Sequence, residues 1–149
     1  MNEQPYPDGL DCVWLASDRD GYIAAFITAG IGPIPSDVLK SCNIPIEEIE
    51  DKVCEMPKTA QARLLVSVKR PDSFIDLAER GVFVYDWTDV NRIAQEELKV
   101  YEQVAIPTQP ITIDILAPNL VALAKAVNFP NVTFAMDKVV KFPVLVQEI

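Results

Sequence analysis

Two stretches near the N-terminus are apolar at almost every position, which is typical of strands buried on both faces. They run from Cys12 to Ser17 and from Tyr22 to Thr28. The residues between them end in Asp20-Gly21, and such a pair tolerates the positive φ that a tight hairpin turn requires. The pattern therefore predicts an N-terminal β-hairpin at the centre of a sheet.

A later segment has the apolar spacing of an amphipathic helix, and its other face is acidic. Pro45 begins the segment, and the apolar residues of Ile46–Met56 recur at helical spacing on one side. The solvent-facing side is therefore expected to carry a strong negative charge. Its acidic residues are Glu47, Glu48, Asp51 and Glu55.

Periodicity, caps and prolines predict the remaining elements. The other helices are expected at Asp37–Ser41, from Pro71 to Gly81 and at Ala117–Val127. The other strands are expected at Val82–Trp87, Val100–Ile106, Asn131–Ala135 and in the apolar tail Lys138–Gln147. Ala60–Val68 fits either a strand or the end of a helix, and Thr88–Asp89 fits the cap of a helical turn.

These elements predict one α+β domain over residues 1–149. Its sheet is expected to be mainly antiparallel and to begin with the hairpin. A few short helices, about three to four, are expected to pack against the sheet.

The charge of the chain narrows the classes of partner. Its 13 Lys and Arg residues against 22 Asp and Glu residues give a formal net charge of −9. Because nucleic acids and anionic membranes bind through clustered cations, the acidity argues against both. It favours a basic protein partner, since opposite potentials speed encounter. Solubility alone is the other explanation of this charge.

The cysteines and the N-terminus predict a cytoplasmic location. Cys12, Cys42 and Cys54 are an odd number with wide spacing, which suits free thiols in a reducing compartment. The first residues lack the basic and apolar regions of a signal peptide. No window approaches the roughly 18 consecutive apolar residues of a membrane span.

The stretches that suggest chemistry have simpler structural explanations. Residues 18–21 resemble the start of a calcium loop, but Ala29 stands where an EF-hand needs its bidentate Glu. Gly30–Pro35 lacks the glycine and lysine positions of nucleotide-binding loops, and its prolines remove amide donors. The chain has no histidine, the usual general base and a frequent zinc ligand. We therefore expect no cofactor, no metal site and no enzyme activity.

Two clusters remain as candidate partner-binding sites. The turn carries Asp18, Arg19 and Asp20 and is expected to present Arg19 at the tip of the hairpin. Tyr85-Asp86-Trp87 ends a predicted strand, and aromatic side chains beside a charge often dominate protein interfaces. The other interpretation of this second cluster is that its aromatic rings close the core.

Several of these stretches resemble those of a group of small, mostly uncharacterised bacterial proteins. The residues that carry the resemblance are Trp14–Gly21, Ala25-Phe26, Gly30–Pro35, Val82–Trp87 and Tyr101–Pro107. Small acidic proteins of this kind are often immunity proteins, which neutralise a toxin by tight binding. The resemblance therefore implies a basic toxin domain as partner, contacted by the acidic helix face and by Arg19. It implies no catalytic residues.

Three hypotheses follow. The first is a non-enzymatic protein-binding module, an immunity-like inhibitor that covers the surface of a toxin. The second is a small-ligand-binding protein or carboxylate-based enzyme around the turn and the Tyr85-Asp86-Trp87 strand. The third is an assembly protein that forms a homodimer through the apolar tail Val139–Val146. The residues assigned to partner binding are Asp18, Arg19, Asp20, Glu47, Glu48, Asp51, Glu55, Tyr85, Asp86 and Trp87.

Overall fold

The computed structural model of the chain describes residues 4–7, 9–40, 44–88 and 100–140, which form an α+β fold. The strands are β1 Val13–Asp18, β2 Ile23–Ile27, β3 Ala62–Leu64, β4 Phe83–Thr88, β5 Val100–Pro107, β6 Asn128–Phe129 and β7 Val139–Val140. The helices are α1 Ser36–Lys40, α2 Ile49–Cys54, α3 Asp72–Ala78 and α4 Pro118–Ala126. Cys42, the helical turn predicted after Thr88 and the tail beyond residue 140 lie outside the described residues.

The seven strands form one mixed sheet in the order β3-β5-β4-β2-β1-β6, with β7 beside β5. The predicted hairpin is the antiparallel pair β1 and β2. Each strand of the hairpin has a parallel neighbour on its outer side: β4 lies beside β2, and β6 lies beside β1. The prediction of a mainly antiparallel sheet is therefore wrong. Parallel neighbours need a long crossover, and the chain between β2 and β4 provides one through α1, α2, β3 and α3.

A row of aromatic rings crosses the centre of the sheet on one face. Trp14 stacks on Phe26 with ring centroids 4.4 Å apart, and Phe26 stacks on Tyr85 at 5.0 Å. The strand register explains the row, because Phe26 lies opposite Trp14 on one side and Tyr85 on the other. All three side chains are fully buried. The hairpin therefore occupies the centre of the core, as its apolar pattern predicts.

The segment predicted as a strand at Asn131–Ala135 is a loop instead. It places Phe134 on the aromatic row, 5.6 Å from the ring of Tyr85. The backbone of Phe134 bonds to side chains of the sheet, since its N–H donates to Asp18 and its carbonyl accepts from Gln103. These side-chain bonds replace the ladder that a strand would need. The prediction of a strand here is therefore wrong.

The helices lie where their sequences predict, with ends that differ by a few residues. Ser17 donates a hydrogen bond to the carbonyl of Ala124, so α4 lies on the face of β1 opposite the aromatic row. Gly81 follows α3 with a φ of +96°, and a Cβ there would lie 2.6 Å from Ile111. Both observations explain why only glycine fits. In the part of the chain that the structure describes, no helix is long and apolar enough to cross a membrane.

Two predictions on short segments have clear outcomes. The ambiguous segment Ala60–Val68 contains the short strand β3, which lies at one end of the sheet. The described start of the apolar tail is β7, and β7 pairs with β5 of the same chain. Those two residues of the tail therefore already have a partner within the molecule.

Candidate protein-binding surfaces

The hairpin turn is held together by the carboxylate of Asp18. One of its oxygens accepts hydrogen bonds from the backbone N–H of Asp20 and of Tyr22, both at 2.9 Å. The other oxygen accepts from the backbone N–H of Phe134 at 2.7 Å. Asp18 is 1% exposed. Its role in the structure is to join the hairpin to the loop that covers the aromatic row.

This burial corrects part of the predicted partner site at the turn. Asp18 has no surface to offer a partner, because three backbone donors already surround its carboxylate. Arg19 and Asp20 are exposed at the tip, as the turn pattern predicts. Arg19 is also anchored through its backbone, whose N–H donates to the carbonyl of Val132. The exposed part of this candidate site is therefore two side chains wide.

The cluster Tyr85-Asp86-Trp87 is divided between the core and its margin. Tyr85 is fully buried, donates to the carbonyl of Asp137 at 2.5 Å and accepts from Gln103 at 3.1 Å. Burial raises the pKa of Tyr85 above its usual range, and the nearby charge of Asp137 adds to this. Trp87 is half-buried and packs edge-on against Tyr101. Placing Tyr85 on a partner-binding surface is therefore wrong, and the core interpretation holds for it.

Asp86 differs from Asp18 because no described residue donates a hydrogen bond to its carboxylate. It is half-buried on β4 opposite Glu102 of β5. Within the described residues, no hydrogen bond or ion pair engages its side chain. Burial raises the pKa of Asp86 to about 6, and the negative charges of Asp11 and Glu102 contribute. The β4 strand therefore holds a carboxyl group that titrates near neutral pH.

The acidic face predicted for the segment after Pro45 is present. The segment begins as a 3-10 turn, Ile46–Glu48, and continues as α2. Its apolar residues Ile46, Ile49 and Val53 are buried. The four predicted acidic residues are all exposed: Glu47, Glu48, Asp51 and Glu55. We call these four residues the acidic surface.

One cation moderates the acidic surface, and one carboxylate lies beneath it. Lys52 lies 3.7 Å from Glu55, and exposed pairs of this kind contribute at most about 1 kcal/mol. Glu50 points inward and is half-buried. Burial raises the pKa of Glu50, a hydrogen bond with Ser73 lowers it, and the charges of Asp11, Asp51 and Asp76 raise it further. The surrounding potential is therefore negative at neutral pH.

A second charged surface, of opposite sign, was missed by the sequence analysis. From Pro57 to Pro71 the chain has four cations and no Asp or Glu: Lys58, Arg63, Lys69 and Arg70. This segment contains β3, and all four cations are exposed. We call residues 57–71 the basic segment. The run of cations is visible in the sequence, but the periodicity of Ala60–Val68 does not indicate whether they lie on a strand or on a helix.

An open groove lies at the start of the basic segment. Residues 58–61 form one wall, and Thr108 and Gln109 form the other. The lining includes none of the residues assigned to partner binding. Among the described residues, no three His, Cys, Asp or Glu side chains come together in a way that could hold a metal ion.

Comparisons of the chain with known proteins found no match. No protein-family model, curated protein or solved structure matches the chain. The charged surfaces described above are therefore the basis of the proposed function.

Proposed function

We propose that the chain is a non-enzymatic protein-binding module that recognises a basic partner through the acidic surface. The observation that carries this proposal is four exposed carboxylates on one turn and helix, with a single cation among them. Clustered charge of one sign speeds encounter with an oppositely charged partner and rejects partners of like charge. An immunity-like inhibitor that covers a basic toxin domain is the role that we propose for it.

The arrangement of the molecule supports binding through the surface rather than through its centre. The aromatic row is closed over by Phe134, and the carboxylate of Asp18 is occupied by backbone donors. The acidic surface, by contrast, is attached to the core by buried Ile46, Ile49 and Val53. A rigid support of this kind presents charges in a fixed geometry, which limits the entropy lost on binding.

The test is affinity purification from the native cell, followed by calorimetry with the partner that it identifies. The double variant Glu48→Gln/Asp51→Asn removes two charges from the acidic surface. We expect it to weaken binding about tenfold or more, which corresponds to about 1.4 kcal/mol. If the partner is a toxin, co-expression of the wild-type chain protects cells and co-expression of the variant protects them less.

The matched control is Asp37→Asn/Asp114→Asn, which removes the same charge from exposed positions elsewhere. We expect it to change binding by less than about twofold, because these two charges lie outside the acidic surface and exposed charges are screened by salt. An equal loss in both variants would show that net charge, and not this surface, drives binding. A failure to recover any partner together with a lack of protection would contradict the proposal.

One observation favours the second candidate function, a small-ligand site that uses a carboxylate. Asp86 has a pKa raised to about 6, and carboxyl groups tuned in this way are common in active sites. Because Tyr85 lies in the core, such a site would use Asp86 and Glu102 rather than the whole Tyr85-Asp86-Trp87 cluster. A thermal-shift screen with small amines at pH 5 and pH 8 tests it. Stabilisation at pH 8 that is lost in Asp86→Asn would support this function, and no stabilisation would contradict it.

A further inference from the structure

In the described part of the chain, no strand pairs with the outer edge of β3, which we call its open edge. β3 pairs with β5 alone and is the first strand in the order of the sheet. Gln61 and Leu65 turn their backbone toward β5, since the carbonyl of Gln61 accepts from Thr108 and the N–H of Leu65 donates to Val104. Backbone groups alternate in direction along an antiparallel strand. Ala62 and Leu64 therefore direct their N–H and carbonyl groups away from the sheet.

The side chains around this edge are cationic and apolar. Leu65 is 36% exposed and Val68 is 46% exposed. Arg63, Lys69 and Arg70 form no ion pair with any described residue, whereas Lys58 lies 3.2 Å from Glu79. Three cations without an internal carboxylate are notable in a chain with a net charge of −9. Within the residues that the structure describes, the fold does not pair these three charges with a carboxylate.

We propose that the basic segment binds an acidic, extended peptide of a partner protein, which adds a strand to the open edge of β3. The outward N–H and carbonyl groups of Ala62 and Leu64 pair with the backbone of the peptide. Glutamate or aspartate at alternate positions of the peptide lies on the face of the sheet that carries Arg63 and Leu65, while the apolar residues between them lie beside Ala62 and Leu64 on the other face.

Charge complementarity selects this occupant over the others. A second copy of the chain would bring Arg63 against the same cationic segment, and cations on an edge strand are a common device against self-pairing. Nucleic acid would satisfy the cations but not the outward backbone donors and acceptors. An acidic peptide strand satisfies both. This inference concerns a surface different from the acidic surface, so its failure leaves the proposed function intact.

The test uses the full chain and a fluorescein-labelled acidic peptide, acetyl-Thr-Glu-Val-Glu-Val-Glu-Val-Thr-amide, in an anisotropy titration. We expect saturable binding that weakens as salt rises from low to physiological strength. The variant Arg63→Gln/Lys69→Gln/Arg70→Gln is expected to weaken binding about tenfold or more. Lys40→Gln/Lys125→Gln removes two exposed cations on α1 and α4 and is expected to weaken it by less than about twofold.

Three altered peptides separate strand addition from simple charge attraction. A peptide methylated on alternate backbone nitrogens keeps all its glutamates but loses its donors along one edge. Two such peptides, one for each edge, cover both orientations, and we expect at least one to bind about tenfold more weakly than the parent. A peptide with lysine in place of each glutamate is expected not to bind measurably. Together, the results expected for the three peptides show that binding depends on both the glutamate charges and the backbone donors of the peptide.

Four results would overturn the inference. The first is unchanged binding by the variant of the basic segment, and the second is an equal loss in the control variant. The third is unchanged binding by both methylated peptides. The fourth is occupation by something else: a homodimer in light scattering that Ala62→Pro disrupts, or an oligothymidylate that binds more tightly than the acidic peptide. Proline fits an edge strand whose N–H faces solvent, and urea unfolding of Ala62→Pro verifies that the variant is folded.

Discussion

The hairpin turn and the basic segment both carry charged side chains beside a strand of the same sheet, yet the molecule uses them in opposite ways. At the turn, the carboxylate of Asp18 is buried and accepts three backbone hydrogen bonds. Along the basic segment, Arg63, Lys69 and Arg70 are exposed and have no ion pair within the described residues. A charged group that forms its hydrogen bonds within the molecule stabilises the fold. An exposed charged group without such bonds is available to a partner.

The largest effect that this comparison predicts is on stability at Asp18. Asp18→Ala leaves backbone donors without an acceptor, and each such buried group costs about 1–3 kcal/mol. We expect the free energy of unfolding in urea to fall by about 3 kcal/mol or more. Asp20→Ala, the exposed neighbour, serves as the control and should change it by less than about 0.5 kcal/mol. A loss below about 1 kcal/mol for Asp18→Ala would mean that its hydrogen bonds do not hold the fold.

Asp86 sharpens the comparison, because it is a partly buried carboxylate to which no described residue donates a hydrogen bond. Its pKa is raised to about 6 in the folded chain and is about 3.9 in an unfolded one. The folded state therefore binds the proton more tightly, and stability falls as pH rises between these values. Asp86→Asn should raise the free energy of unfolding at pH 8 by about 1–2 kcal/mol and change it little near pH 4.

Urea unfolding across this pH range measures the effect of Asp86→Asn. Asp114→Asn is the control, since it removes the same charge from an exposed position. If Asp86→Asn were destabilising at pH 8, the carboxylate would have a favourable partner, and the contrast with Asp18 would disappear.

A smaller effect is expected at Tyr85, whose hydroxyl group bonds to the covering loop. Tyr85→Phe keeps the stacked ring and removes the bonds to Asp137 and Gln103. Gln103 keeps its bond to the carbonyl of Phe134. We expect a loss of about 1 kcal/mol in thermal or urea unfolding. A loss as large as that of Tyr85→Ala would show that the hydroxyl group, and not the ring, dominates at this position.

The smallest effect on stability is expected in the basic segment. Arg63→Gln/Lys69→Gln/Arg70→Gln should change the free energy of unfolding by less than about 0.5 kcal/mol, because no described carboxylate pairs with these exposed cations. Circular dichroism during thermal unfolding is sufficient to measure this. A loss above about 2 kcal/mol would show that these cations hold the fold together, and the two regions would then be alike.

Local patterns in the sequence were sufficient for the hairpin, for the acidic surface and for most helix positions. Each depends on residues close together in the chain: Asp20-Gly21 at the turn, the spacing of Ile46, Ile49 and Val53, and Gly81 after α3. Short-range spacing fixes which face of a helix is buried and where the chain turns. These features could therefore be predicted without knowledge of the partners of each element.

The features that the sequence did not reveal depend on distant contacts. Asp18 is buried because the N–H of Phe134, 116 residues later, approaches its carboxylate. The parallel pairing of β2 with β4 depends on the route of the intervening chain. The local pattern around Tyr85 fits either surface or core, and its burial and its stacking on Phe26 decide for the core. A contact between residues far apart in the chain leaves no periodic pattern of apolar residues in either segment.

Hydrogen exchange of individual backbone amides, measured by NMR with and without the acidic peptide, tests the central contrast most directly. We predict that Asp20, Tyr22 and Phe134 are protected in the free chain and that the peptide does not change them. Ala62 and Leu64 should exchange quickly in the free chain and become protected when the peptide binds. Protection of Ala62 and Leu64 without the peptide, or no change on adding it, would contradict the account.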